Sequence, residues 1–325
     1  MSMSVKTELP ESSAHPLQHM SSRVASQDWP KAALYVVATP IGNLGDLSLR
    51  AWYALGLVDL IAAEDTRATR VLLSAWGLDT PLMSAHRHNE AQAAQQIIER
   101  LAQGQRVALV SDAGAPAVSD PGGLTVAAVR QAGYEVVALP GPSAVITALM
   151  CLGVTSDENP AFAFLGFAPN KHNARLTWLR QASLFNGTLV FYEAPHRIYA
   201  AVADVIEVFG PQRMVSLARE LTKKFEETVS QPATTLLDWF KAAPHREQGE
   251  YVVVIHPLGR VATTTEQNEG QVSNLSEQAA QQAWADALLG VLSVRDASKV
   301  MAQATGLAKD TCYAMMLARK ALRDD

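Results

Sequence analysis

The stretch "SDAGAPAVSDPGG" (111–123) stands between the β-branched run "RVALV" (106–110) and the helix-like run "LTVAAVRQAG" (124–133). A short apolar run that enters a loop of Gly, Pro, Asp and Ser and leaves it as a helix has the form of one strand–loop–helix step in an α/β sheet. The same step recurs on both sides. "LYVVATP" (34–40) and "VDLIAAED" (58–65) read as strands upstream, and "EVVALPG" (135–141) does so downstream. Helix-like segments begin near Leu47, Thr69, Asn89 and Leu124, and Gly104 and Gly133 fall where helices stop. This alternation predicts a parallel, doubly wound sheet over residues 33–153.

A break at "GVTSDENP" (153–160) opens a second series, "AFAFLGF" (161–167), "TLVFYEA" (188–194), "MVSLARE" (214–220) and "EYVVVIH" (250–256), which predicts a second α/β domain over 154–258. The polar, aperiodic run that follows has the composition of a linker, assigned to 259–276. Residues 277–325 read as helix, short Thr-Gly turn, helix. Residues 1–32, rich in Ser, His and Pro, have no apolar period and are expected to form a disordered extension.

Composition excludes several classes of function. The 325 residues are 48% hydrophobic, ample for two cores, and 27 basic against 32 acidic residues argue against a generic nucleic-acid coat. The helical tail has balanced charge, which favours packing or dimerisation over DNA reading. Cys151 and Cys312 lie far apart in apolar stretches without metal or disulfide spacing, so both are expected in cores, in a reducing compartment. There is no secretory pattern and no long uninterrupted apolar run, which sets the expectation of a cytoplasmic protein.

Ligands in open α/β sheets gather outside the carboxyl ends of the strands. Four loops stand there: "TPIGNLGD" (39–46), "EDTR" (64–67), residues 111–123, and "PGPSA" (140–144). Each has a plain structural role as well: Asp65 and Thr66 as helix caps, Gly42 and Asn43 as turn residues, Ser143 as an N-cap. The convergence of all four on one edge is what points to a site. No G-x-G-x-x-G follows the first strand and no Walker motif occurs, which disfavours NAD and nucleoside triphosphates. His86 and His88 lack a third ligand at a recognised spacing, so no metal is expected. Ser111, Ser119 and Ser143 lack a G-x-S-x-G elbow, which disfavours a hydrolase. In the second half, Arg197, Arg219, Lys223 and Lys224, with Lys171 and Arg175, supply cations for an anionic backbone; a solvated face is the alternative for "KKFEE" (223–227).

Taken in order, "LYVVATPIGNLGDLSLRA", "AAEDTRATRVLL", "LVSDAGAPAVSDPGG", "LPGPSAVITAL", "FLGFAP", "VFYEAPHRI" and "ARELTKKFEE" resemble the ribosomal RNA 2'-O-methyltransferases of the tetrapyrrole methylase superfamily. The likeness covers residues 34 to about 257 and extends into the tail. It implies two α/β domains of the tetrapyrrole methylase type with the cofactor cleft between them, a small all-helical C-terminal tail, and a homodimer. It also implies that S-adenosyl-L-methionine is used to methylate the ribose 2'-hydroxyl of a cytidine in the decoding region of 16S rRNA, with the small ribosomal subunit as partner and neither membrane nor DNA involved. Carried over residue by residue, the cofactor should touch Leu44, Asp112, Ala113, Gly114, Ala115, Val118, Ser143, Ala144 and Tyr192. A ribose hydroxyl is a weak acid that a base or a cation would help to activate, and the candidates are Glu193 or Glu220 as proton acceptor and Lys223 or Arg197 as the cation that positions the substrate. The chain departs from the family pattern at Ala115, where threonine is usual, and in "HRHNE" (86–90), where a glutamate usually separates the histidines. Two alternatives remain. A precorrin-type tetrapyrrole C-methyltransferase would want "GAGPGD" in the first loop, and a non-catalytic ribosome-binding module would keep the fold without incorporating methyl groups.

Overall fold

The computed structural model describes residues 14–156, 159–257, 285, 288–290, 292–305 and 307–324. The chain divides into two compact units, one through residue 258 and one from residue 259. The first holds two five-stranded sheets.

In the first sheet, β1 (Ala33–Val37), β2 (Leu60–Ala63), β3 (Leu82–Ser84), β4 (Val107–Val110) and β5 (Glu135–Leu139) are all parallel, in the order β3-β2-β4-β1-β5. Helices cover both faces, so the inner strands β1, β2 and β4 are apolar throughout rather than alternating. Tyr35, Val37, Ile61 and Val110 pack on one side with α2 (Leu49–Leu57) and α3 (Thr66–Ala75). Leu34, Leu60, Val107 and Leu109 pack on the other with α4 (Glu90–Ala102) and α5 (Gly123–Gln131). Each fully buried Leu or Ile contributes about 1.5–3 kcal/mol to holding these layers together. The connection from β1 crosses over β4 to β2, while that from β4 crosses over β1 to β5. The winding therefore reverses between β1 and β4, where a parallel sheet opens a crevice. The short edge strand β3 escaped the sequence reading, because three residues carry no period.

The second sheet has the order β6-β7-β10-β8-β9, with β6 (Phe162–Phe167), β7 (Thr188–Glu193), β8 (Met214–Arg219), β9 (Glu227–Pro232) and β10 (Tyr251–Ile255). Only β6 and β7 are parallel; the other neighbours are antiparallel. One face packs on α7 (His172–Ala182), α8 (Ile198–Phe209) and α9 (Ala233–Lys241). The opposite face receives α6 (Ala144–Leu152), whose Val145, Ala148 and Leu149 meet Val190, Val252 and Val254. The helix that leaves the last strand of the first sheet is thus part of the core of the second. Strand β9, "ETVSQP", lay partly in the run read as a charged face. It is an edge strand whose polar Ser230 pairs with Ser216 across the ladder, so it lacks apolar alternation.

The extension expected to be disordered over 1–32 instead carries α1 (Ala14–Ala25) in its described part. Its end is tied down by tertiary contacts. Trp29, 9% exposed, donates Nε1–H to the Val24 carbonyl at 3.0 Å, and Arg106 donates to the Trp29 carbonyl at 2.9 and 3.2 Å. Residues 1–13 and the linker 259–276 lie outside the described residues. In the second unit, Val294–Thr305 and Lys309–Asp324 form the expected helix pair, packed through Ala297, Met301, Cys312 and Met316. Cys312 is the core residue expected, whereas Cys151 is exposed, facing outward from α6. No helix among the described residues is long and apolar enough to cross a membrane.

Candidate functional site

The opening stretch sits at the switch point. The Thr39 and Gly114 backbones exchange hydrogen bonds of 2.9 and 3.0 Å, and Thr39 Oγ1 donates to the Ser111 carbonyl at 3.1 Å. The Asp65 N–H donates to Asp112 Oδ1 at 2.9 Å. The loops after β1, β2 and β4 are therefore stitched to one another. At the far end of the stretch, Glu90 Oε1 accepts from the N–H groups of Gly122, Leu124 and Thr125 at 2.9, 3.0 and 3.3 Å. These are orphan donors at the start of α5, which has no side-chain cap of its own, so a carboxylate from α4 supplies the cap.

These loops and the second sheet enclose a cavity of about 780 Å3. Residues 112–115 and Val118 line it from the third loop, Ser143 and Ala144 from the start of α6, and Tyr192, Glu193, Glu220 and Lys223 from the second sheet. The Ser143 hydroxyl makes no capping bond. Leu44 does not line the cavity. Asn43 caps a short 3-10 turn over Leu44–Asp46 that faces the chain outward, and the Leu44 carbonyl accepts from Trp76 Nε1 at 3.1 Å. Ile41 takes its place in the wall.

One end of the cavity is acidic. Glu64, Asp112 and Asp120 all line it. Burial, then the Asp112 charge, raises the carboxyl pKa of both Glu64 and Asp120. Burial, followed by the Asp120 charge, pushes Tyr192 up to about 12. Asp65, by contrast, is an exposed helix cap: hydrogen bonds from the Arg67 side chain and backbone hold it at about 2, and it plays the structural role open to it.

The second sheet brings two ion-paired clusters to the cavity. Glu193, 3% exposed, receives Arg197 at 2.6 Å and the Ala194 N–H at 2.7 Å on Oε1, while Oε2 is buried without a partner. Arg197 stands behind this wall rather than in it, bonded also to Asn170. Lys223 Nζ bridges Glu220 at 2.9 Å and Glu250 at 2.7 Å. Burial disfavours the Lys223 ammonium, but the hydrogen bonds and charges of Glu250 and Glu220 outweigh it, and its pKa rises. Burial likewise acts to raise Glu220, yet Lys223 and the Glu250 N–H lower it overall. Two glycines make room for this arrangement. A Cβ on Gly42 would stand 2.5 Å from Lys223 Cγ, and one on Gly249, at φ +86, would stand 2.5 Å from Glu220 Cγ. The first loop therefore lies directly against Lys223.

Two other cations anticipated for an anionic ligand are structural. Arg175 is 3% exposed and pairs with Asp204 at 2.7 Å. Arg219 is 5% exposed and spends its guanidinium on the carbonyls of Gln248, Phe225 and His245. A planar five-donor fork suits such loop-closing work. The His86 and His88 rings stand 5.9 Å apart, and among the described residues no three His, Cys, Asp or Glu side chains are grouped to hold a metal. The sequence reading missed Glu64, Asp120 and Glu250. Glu64 and Asp120 stand in the strand-end loops, but their burial beside Asp112 is a tertiary fact, and Glu250 stands just before β10, where nothing in the sequence ties it to Lys223.

Residues 33–237 match the family model described as Tetrapyrrole (Corrin/Porphyrin) Methylases. Among curated proteins, the chain is 48% identical over 223 residues to Ribosomal RNA small subunit methyltransferase I of Vibrio cholerae, covering 69% of this chain and 76% of that one. It is 41% identical over 280 residues to the protein of that name from Pasteurella multocida, covering 86% and 95%. Among solved structures it resembles a uroporphyrin-III-C-methyltransferase from Thermus thermophilus, with TM-score 0.51, 21% identity and coverage of 70% and 94%. It also resembles a cobalt precorrin-4 methyltransferase, with TM-score 0.52, 15% identity and coverage of 69% and 95%. Both structural likenesses concern the fold.

Proposed function

We propose, proceeding from the fact that this chain belongs to the tetrapyrrole methylase family, that it methylates the ribose 2'-hydroxyl of a cytidine in the decoding region of 16S rRNA, using S-adenosylmethionine. The observation that carries this reading is the make-up of the 780 Å3 cavity wall, in which the carboxylates Glu64, Asp112 and Asp120 stand together and the Lys223 ammonium is fixed between Glu220 and Glu250.

The residues present fit the cofactor. Glu64, Asp112 and Asp120 repel one another in a partly buried setting, and a bound cation relieves that repulsion. Asp112, Ala113, Gly114, Ala115 and Val118 form its wall, Ser143 and Ala144 offer the start of α6, and Tyr192 adds an aromatic surface from the second sheet. When bound, S-adenosylmethionine supplies a sulfonium-activated methyl group.

The protein's own part is orientation and charge. Lys223 is held protonated by Glu220 and Glu250, so it acts as a cation that places the ribose and its flanking phosphate and favours the oxyanion character of the hydroxyl. Glu220 and Glu193 are the carboxylates within the cavity that accept the proton. Arg197 fixes Glu193 Oε1 and Glu193 Oε2 is buried, so Glu220 is the carboxylate more open to the cavity. Arg197 positions Glu193.

The protein works as a cytoplasmic homodimer. Val118, Ile146, Met150, Phe162 and Phe167 are exposed around the cavity mouth and on the outer face of α6, an apolar surface that a second copy would cover. Incubation of the protein with labelled S-adenosylmethionine and small subunits from a strain lacking this enzyme should place one 2'-O-methyl cytidine in the decoding region. No label in the RNA, while the same protein labels an added tetrapyrrole in a parallel incubation or labels nothing, would refute the assignment.

A further inference from the structure

A second cavity, of about 190 Å3, lies at the other end of the second sheet, with Asn186, Phe209, Arg213 and His256 in its wall. Strand β7 runs from Thr188, beside this cavity, to Glu193 in the first, a span of roughly 16 Å. The two are separate sites.

Arg213 is the unusual residue. Its guanidinium lies over the Phe209 ring, 5.2 Å from the centroid, and its Nε and Nη1 are buried without a hydrogen-bond partner. Among the described residues no carboxylate forms an ion pair with it, and burial alone pushes its pKa down. A guanidinium does not lose its proton in a protein, so the fold keeps a desolvated, unneutralised cation against an open space. Every other guanidinium in the interior of this sheet is matched: Arg175 by Asp204, Arg219 by three carbonyls, Arg246 by Glu227. His256 adds a second ring to the wall. Its Nε2 is fixed 2.6 Å from Ser216 Oγ, which is itself 2.6 Å from Ser230 Oγ. Burial and the Arg213 charge both lower its pKa. The chemistry that completes such a wall is an acceptor-rich anion, small enough for the cavity and able to take several N–H donors at once.

We propose that this cavity binds a phosphate oxyanion through Arg213, with Asn186 and His256 beside it. A free phosphate and an RNA phosphodiester share that chemistry, and the inference does not rest on the reading of the first cavity.

The test is calorimetric titration of inorganic phosphate into the full chain at constant ionic strength, with chloride as the balancing ion. The expected result is saturable binding at one site per chain. Arg213→Gln should weaken it roughly ten- to a hundredfold, the loss expected for a charge-assisted contact, while S-adenosylmethionine binding stays unchanged. Arg213→Lys, which keeps the charge but not the fork, should give intermediate affinity and serves if the glutamine variant does not fold. Displacement of phosphate by a short oligoribonucleotide assigns the site to the RNA backbone; phosphate binding indifferent to the oligonucleotide assigns it to the free ion. Absence of saturable phosphate binding to the wild type, or equal binding by Arg213→Gln, overturns the proposal.

Discussion

On the first-sheet side of the main cavity every lining loop leaves the carboxyl end of a parallel strand, whereas on the second-sheet side the lining comes from three phenylalanines of β6, from the ends of β7 and β8 and from the start of β10, strands that are mostly antiparallel. The parallel side contributes backbone, small side chains and carboxylates, braced by hydrogen bonds between loops. The antiparallel side contributes long charged side chains already paired with one another. The difference teaches where each kind of recognition belongs. A wall of fixed backbone can follow the outline of one small molecule, while a salt-bridged ammonium suits a larger anionic substrate that approaches from outside.

The contrast breaks most sharply at Lys223. Lys223→Ala should lower kcat/KM for small-subunit methylation about a hundredfold while cofactor affinity stays within roughly twofold, measured by methyl incorporation and calorimetry. Comparable losses in both would merge the two walls into one site. On the parallel side, Glu90→Ala removes the acceptor of three N–H groups at the start of α5. It should cost about 2 kcal/mol in urea unfolding and weaken cofactor binding through the loosened 111–123 loop.

A smaller effect concerns pH. Glu64 and Asp120 have raised pKa values, so the folded protein holds their protons more tightly than the unfolded chain does. Their ionisation opposes folding above the folded pKa, and stability is recovered as pH falls through that value toward the ordinary carboxylate range. A bound cation favours the ionised forms. Cofactor affinity should therefore drop as pH falls through the raised pKa of these carboxylates, with proton release on binding in that range, and Glu64→Gln should flatten this profile. The smallest effect belongs to the exposed Asp65–Arg67 pair: Arg67→Ala should leave the unfolding midpoint and the cofactor affinity where they are.

The same contrast explains what was legible in the sequence. The strand-end rule locates the parallel side because a βαβ chain leaves every loop on one edge, so Asp112, Gly114 and Ser143 could be named from spacing and resemblance alone. Leu44 could not be excluded, because a 3-10 turn of three residues decides which way it faces. On the antiparallel side the rule has no purchase. Glu250 precedes β10, so nothing in its neighbourhood announces that it meets Lys223, 27 residues away. Arg175 and Arg219 look like surface cations in sequence because the carbonyls and the carboxylate that absorb them are brought up only by the fold. The N-terminal helix is a similar case, since α1 is polar and the anchoring is done by Trp29 beyond its end.

On the proposed assignment Glu64, Asp112 and Asp120, and not Lys223, hold the methyl donor. Calorimetric titration of S-adenosylmethionine into the wild type, Asp112→Asn and Lys223→Ala tests it directly. Asp112→Asn should lose most of the affinity and Lys223→Ala should stay near wild type; the reverse order, or equal affinity in all three, would contradict the assignment.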